Sequence, residues 1–122
     1  MIKGTGVDIV EISRIEKAIN RRDGFLRRVY TVRELEDCMA EKPRTSSLAA
    51  RFAAKEAVSK ALGTGIGKVK WTDIEIINQS TGKPEVFLRG GARDIMLELG
   101  IATIELSMSH SREYAVAFAI AY

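Results

Sequence analysis

Cysteine, histidine and proline are nearly missing from these 122 residues, which hold one Cys, one His and two Pro. The lone Cys38 excludes an intramolecular disulfide and a zinc site of clustered thiolates, and one His cannot supply the missing ligands. With so little proline and no Ser/Gly-rich linker, nothing marks an internal boundary, so residues 1–122 are expected to form one domain. No apolar run approaches the length of a membrane span, and the N-terminus lacks the basic-then-apolar layout of a signal peptide. Neither a solenoid-period repeat nor a low-complexity tract is present. Aromatics make up 7%, too few for the stacking platforms that hold single-stranded nucleic acid. A cytoplasmic protein with neither a membrane nor a nucleic acid as partner is the expectation.

Against these absences stands one Ala-rich stretch, residues 48–62, with no Gly or Pro inside it and Gly63 at the stop position. The spacing predicts a long helix whose apolar residues run nearly all round, as in a buried helix. It nevertheless carries Arg51 and Lys55 on one i,i+4 row and Glu56 and Lys60 on another. A carboxylate among three cations points to a site for an anion and a metal; two rows of solvated charges is the plainer alternative. The net charge of +3 is unevenly placed, with Arg14, Lys17, Arg21, Arg22, Arg27 and Arg28 close together against Glu16 and Asp23. Such a patch suits an acidic partner.

Residues 2–12 read as a strand, in which alternation places Ile2, Gly4, Gly6, Asp8, Val10 and Ile12 on one face. Asp8 then lies on the apolar side, either as a ligand contact or as a carboxylate at a bulge or strand end. Ser13/Glu16 and Thr31/Glu34 have capping-box spacing, opening helices to about Arg21 and Ala40, and Pro43 closes that region. Thr45, Ser46 and Ser47 offer N-caps for the long helix. Strands at 71–77 and 85–89, a helix at 92–99 and strands at 103–108 and 114–121 complete the pattern, with His110 in a loop at 109–113. The fold class is α+β: a mostly antiparallel sheet packed on the long helix. Asp8 and Glu56 are candidate oxygen ligands, flanked by Arg51 and Lys60. Magnesium, which takes one or two carboxylates and substrate phosphate oxygens, fits these residue types, with a phosphate or pyrophosphate substrate.

Three segments together carry a resemblance. Gly6-Val-Asp8-Ile-Val-Glu-Ile with Arg14, then Phe25 through Tyr30-Thr31-Val-Arg-Glu34, then Arg51-Phe-Ala-Ala-Lys-Glu56-Ala-Val-Ser-Lys60 resemble the bacterial holo-acyl-carrier-protein synthases, the small phosphopantetheinyl transferases. Gly82-Lys83-Pro84 and Leu106-Ser-Met-Ser-His110-Ser extend it nearly end to end. Ala50, where Gly is common, and Val7, where Ile or Leu is frequent, are the small departures. The resemblance implies transfer of phosphopantetheine from coenzyme A to a serine of apo-acyl carrier protein, releasing adenosine 3′,5′-bisphosphate. It makes Asp8 and Glu56 the magnesium ligands and sets Lys60 at the phosphates. Arg51, Lys83, Pro84, His110 and Ser111 would line the nucleotide pocket, and Arg14, Arg21, Arg22 and Arg28 would receive the acidic carrier. It also implies a homotrimer with active sites at subunit interfaces. Glu56, Asp8 or a metal-bound water is left as the acceptor of the serine proton. The competing classes are a nucleic-acid-binding module, marked by salt-dependent affinity without coenzyme A binding, and a magnesium-dependent phosphohydrolase, marked by phosphate release without a carrier.

Overall fold

Period-2 alternation governs the first strand of the structure, a computed structural model that describes residues 1–21, 23–39 and 45–122. In β1 (Gly4–Glu11), Gly6 and Val10 are buried while Thr5, Val7, Ile9 and Glu11 face outward. Ile2 precedes the strand, and Ile12 already belongs to α1 (Ile12–Asn20). That direct hand-over overturns the expected capping box at Ser13. The helix starts two residues earlier, with Glu11 in place of Ser13 at the N-cap and no side-chain cap. None is required at Ile12, whose N–H donates to the Glu113 carbonyl at 2.8 Å and so is satisfied by the strand ladder.

The second box does form. The Thr31 N–H donates to Glu34 Oε1 at 2.8 Å, and the Glu34 N–H donates to Thr31 Oγ1 at 3.2 Å, opening α3 (Val32–Met39) after the short α2 (Phe25–Val29). The Thr31 hydroxyl also donates to buried Glu75 at 2.6 Å. Thr31→Ala therefore loses both a cap and a bond to a buried carboxylate, and should cost about 1–2 kcal/mol. Chemical denaturation would show this as a lower midpoint at unchanged slope; an unchanged midpoint would contradict it. Ala40 and Pro43, assigned from sequence to the end of this region, lie outside the described residues.

Helix α4 (Thr45–Ala61) takes Thr45, Ser46 and Ser47 into its first turn, beyond their expected capping role. Eleven of its 17 residues are buried, and the row of Phe52, Glu56 and Lys60 is the side left partly open. After it come a 3-10 turn (Trp71–Asp73), β2 (Ile74–Asn78), β3 (Pro84–Leu88), α5 (Gly90–Glu98), β4 (Ile104–His110) and β5 (Tyr114–Ala121). The strand expected from residue 71 begins three residues later because the Asp73 carboxylate accepts the Lys70 N–H at 3.2 Å and curls the segment. His110, expected in a loop, instead ends β4 opposite Ala115. All strand pairings are antiparallel, in a sheet of order β1-β5-β4 and a β2-β3 hairpin.

Small residues govern how sheet and helix meet. Ala115, Ala117, Ala119 and Ala121 of β5 face α4, at most 1% exposed. A Cβ added at Gly6 would lie 1.9 Å from the Ala57 carbonyl oxygen, and one at Gly4 would lie 2.0 Å from that of Ala61. Only glycine permits this backbone-on-backbone contact. The opposite face of the same sheet is apolar and open: Val7 opposes Phe118 and Ile9 opposes Val116, with Val7, Ile9, Phe118 and Tyr114 exposed.

Candidate active site

The glycine seam also determines what lies beside it. Asp8 is two residues past Gly6 on the same inward face of β1, and Glu56 directly precedes Ala57 on α4. The two carboxylates are therefore neighbours. Partial burial, and after it the Asp8 charge, hold Glu56 above the usual carboxylate range, while Lys60 and Arg14 pull it back. Lys60, one turn beyond Glu56, donates from Nζ to the Val7 carbonyl at 3.0 Å and to Asp8 Oδ1 at 3.4 Å. The fold thus gathers Asp8, Glu56, Lys60 and Arg14 from β1, α4 and α1.

This donor set fits a hard divalent cation. Two like-charged carboxylates, one of them partly desolvated, repel each other, and a shared cation removes that cost. Among the described residues no three His, Cys, Asp or Glu side chains converge, which leaves an oxygen-ligand site completed from solvent or substrate.

Beside the carboxylates, a groove of about 420 Å³ runs along α1. Arg14, Lys17 and Arg21 line it together with Phe25 and Phe52, whose rings are 6.1 Å apart. From sequence Phe25 falls in a short helix or turn and Phe52 in the long helix, neither marked as part of the site; the missed signal is that Phe52 stands one helical turn before Glu56. Arg28 is not in this groove and donates to the Asp23 carbonyl at 3.4 Å. Arg22, also assigned to the basic surface, lies outside the described residues.

The remaining predicted residues lie elsewhere. Arg51 is 3% exposed, with Nε donating to the Ile76 carbonyl at 3.1 Å and Nη2 to Asp37 at 2.5 Å. Lys55 is completely buried against Glu34 at 2.8 Å; burial pulls its ammonium below the usual lysine range, against the pull of the Glu34 charge. The expected cluster of three cations about one carboxylate therefore divides: the Arg51/Lys55 row faces the interior, and the Glu56/Lys60 row faces β1. Glu75 is buried too. Desolvation pushes its carboxyl up, but the Thr31 hydroxyl, Arg89 and Arg33 outweigh that and hold it below the usual range. Lys83 and Pro84 line a cleft of about 730 Å³ between β3, α5 and β4, where Lys83 donates to Glu105 at 3.2 Å. The Ser111 N–H donates to the Tyr114 carbonyl at 2.8 Å in the turn after His110. No hydrogen bond or ion pair among the described residues joins Arg51, Lys83, His110 or Ser111 to Asp8, Glu56 or Lys60.

A family model described as the 4′-phosphopantetheinyl transferase superfamily matches residues 4–119. The holo-[acyl-carrier-protein] synthase of Moorella thermoacetica is 50% identical over 115 residues, spanning 94% of this chain and 90% of that one. The crystal structure of holo-[acyl-carrier-protein] synthase from Neisseria meningitidis superposes with a TM-score of 0.90 at 42% identity, covering 100% of this chain and 99% of that one. That of the Bacillus anthracis synthase, solved in complex with CoA (3′,5′-ADP), gives 0.82 at 41% identity, covering 99% and 96%.

Proposed function

Because this chain belongs to the 4′-phosphopantetheinyl transferase superfamily, as one of the holo-acyl-carrier-protein synthases, we propose that Asp8 and Glu56 hold magnesium, Lys60 meets the phosphates of coenzyme A, and α1 receives the carrier. The reaction moves 4′-phosphopantetheine from coenzyme A to a serine hydroxyl of apo-acyl carrier protein. A serine oxygen–phosphorus bond forms, the pyrophosphate bond breaks, and adenosine 3′,5′-bisphosphate leaves.

The observation that carries this reading is the repelling Asp8/Glu56 pair with Lys60 on its rim. Magnesium bound there supplies positive charge against the pyrophosphate and the departing bisphosphate. Lys60, half-exposed and held among the described residues by the Val7 carbonyl and Asp8, is free to turn its ammonium towards a phosphate oxygen. Asp8 and Glu56 are the carboxylates within this site able to accept the serine proton. The groove beside them joins basic side chains to aromatic walls, which suits an acidic helix carrying apolar side chains.

A homotrimer completes the site in this proposal. The exposed Val7, Ile9, Phe118 and Tyr114 on the open sheet face support it, since an apolar patch of this kind marks an interface. A neighbouring copy would then bring Lys83, Pro84, His110 and Ser111 to the nucleotide, with Arg51 bracing that wall through its hold on β2. No helix among the described residues is long and apolar enough to cross a membrane, and we place the reaction in the cytoplasm.

Intact-mass spectrometry of apo-acyl carrier protein, after incubation with this protein, coenzyme A and magnesium, tests the reading. A gain of one phosphopantetheine that a chelator prevents is expected; no gain on a carrier that another transferase can modify would sink it. The docking surface has its own test. Arg21→Glu reverses charge in the groove, and unlike Arg14 this residue exerts no resolved pull on Glu56. The KM for carrier should rise about tenfold, equivalent to about 1.4 kcal/mol, with that for coenzyme A unchanged. Parallel rises in both would contradict the division between docking surface and nucleotide pocket.

A further inference from the structure

Among the described residues strand β2 pairs with β3 on one side only, so its other edge carries amide and carbonyl groups that need partners. Side chains, in place of a third strand, supply them. Lys55 Nζ donates to the Ile74 carbonyl, the Ile76 N–H donates to Glu34 Oε2 at 2.9 Å, and Arg51 Nε donates to the Ile76 carbonyl at 3.1 Å. Lys55 also donates to the Trp71 carbonyl at 2.9 Å and to Glu34 Oε1 at 2.8 Å. Its three ammonium hydrogens are thus distributed over β2, the 3-10 turn and α3.

A buried ion pair is a poor source of stability, because an apolar pair of the same volume often does as well. What this pair provides is direction. Most of the buried residues of α4 are alanines, whose small side chains leave no single bulky apolar stripe to fix its rotation. The glycine seam fixes how closely β1 approaches, but it touches α4 along the line of the Ala57 and Ala61 carbonyls, and a helix can roll about a line. Lys55 sits off that line and immediately before Glu56. At an outer helix radius of about 5–6 Å, a roll of about 10° carries a side-chain tip ~1 Å, a displacement that can cost about a hundredfold in rate.

We propose that Lys55, clamped by Glu34, is a positioning residue that sets the rotation of α4 bringing Glu56 to Asp8, while touching neither substrate nor metal. The proposal rests on the assignment of Asp8 and Glu56 as metal ligands. Lys55→Met alone would strand the Glu34 charge and unfold the region, so two other variants test it. Glu34→Gln/Lys55→Met removes both charges at similar volume, and Lys55→Arg keeps the charge but cannot set one hydrogen on each acceptor. Circular dichroism and thermal melting establish that each is folded. Mn²⁺ affinity, read by electron paramagnetic resonance without substrates, should then weaken about tenfold in the double variant and less in Lys55→Arg. The magnesium needed for half-maximal transfer should rise in step, while coenzyme A binding at saturating magnesium stays within about twofold. Wild-type Mn²⁺ affinity in either folded variant would overturn the positioning role. Failure of the wild-type protein to bind Mn²⁺, or Mn²⁺ binding indifferent to Glu56→Gln, would instead remove the ligand assignment and this proposal with it.

Discussion

Glu56→Gln is expected to slow transfer by at least about 10²–10³-fold while leaving the protein folded, and in metal-free buffer no less stable than wild type. The two effects have one cause. Burial and Asp8 raise the Glu56 pKa, so above that value the ionised group opposes folding, and protonation or a neutral amide relieves the cost. A bound divalent cation relieves it differently, by pairing with the charge. Magnesium should therefore stabilise the wild-type protein by RT ln(1 + [L]/Kd), raising its melting temperature, and leave that of Glu56→Gln nearly unmoved. Because the ligand must be deprotonated, the wild-type increment should fade as pH falls through the raised Glu56 pKa, at a higher pH than an ordinary Glu would give. Paired melts with and without magnesium, beside the mass-spectrometric assay, would check both. A fully active Glu56→Gln, or one stabilised by magnesium like wild type, would sink the ligand assignment.

Gly6→Ala should damage both stability and activity. Its Cβ would stand 1.9 Å from the Ala57 carbonyl oxygen and 2.8 Å from the carbonyl carbon, both backbone atoms that no rotamer change can clear. β1 must lift from α4. Overpacking of this kind costs about 1–3 kcal/mol, occasionally more. The strand that lifts carries Asp8, and the helix it leaves carries Glu56, so activity should fall about 10²-fold even where the protein remains folded. Gly4→Ala meets the Ala61 carbonyl at 2.0 Å and is the control, since it destabilises comparably but lies four residues from Asp8. Equal activity per folded molecule in the two variants would show that the seam serves stability alone.

These two positions also show what the chain discloses before it folds. Alternation in β1 put Gly4, Gly6 and Asp8 on the inward face, because strand periodicity is a local property. The run from Tyr114 to Ala121 was legible for the same reason. Thr31 and Glu34 form their box whereas Ser13 and Glu16, at identical spacing, do not. The difference lies in Glu113, about a hundred residues away, which already satisfies the first amide of α1. Distance defeats the reading of α4 as well. Arg51 and Lys55 look like site cations until the bare edge of β2, some 20 residues on, claims them. The groove escapes notice because Phe25 and Phe52 come from helices that only packing brings together. Pairings encoded by neighbours could be read; those encoded by contact could not.

Alanine and glycine side chains have no rotamers to lose on folding, so the seam between β1, β5 and α4 forms without side-chain entropy cost and has none to regain by loosening. It has no partly open states built from swinging side chains. Amide exchange through this layer should require separation of whole elements, which places it at the slow, near-global end of the protein's opening motions. Admitting a long thiol-bearing cofactor and a protein substrate needs movement somewhere. With the carboxylates mounted on the layer that does not breathe, that movement falls to exposed surroundings such as the β2–β3 turn, and the reacting groups can wait in place while their approaches open and close.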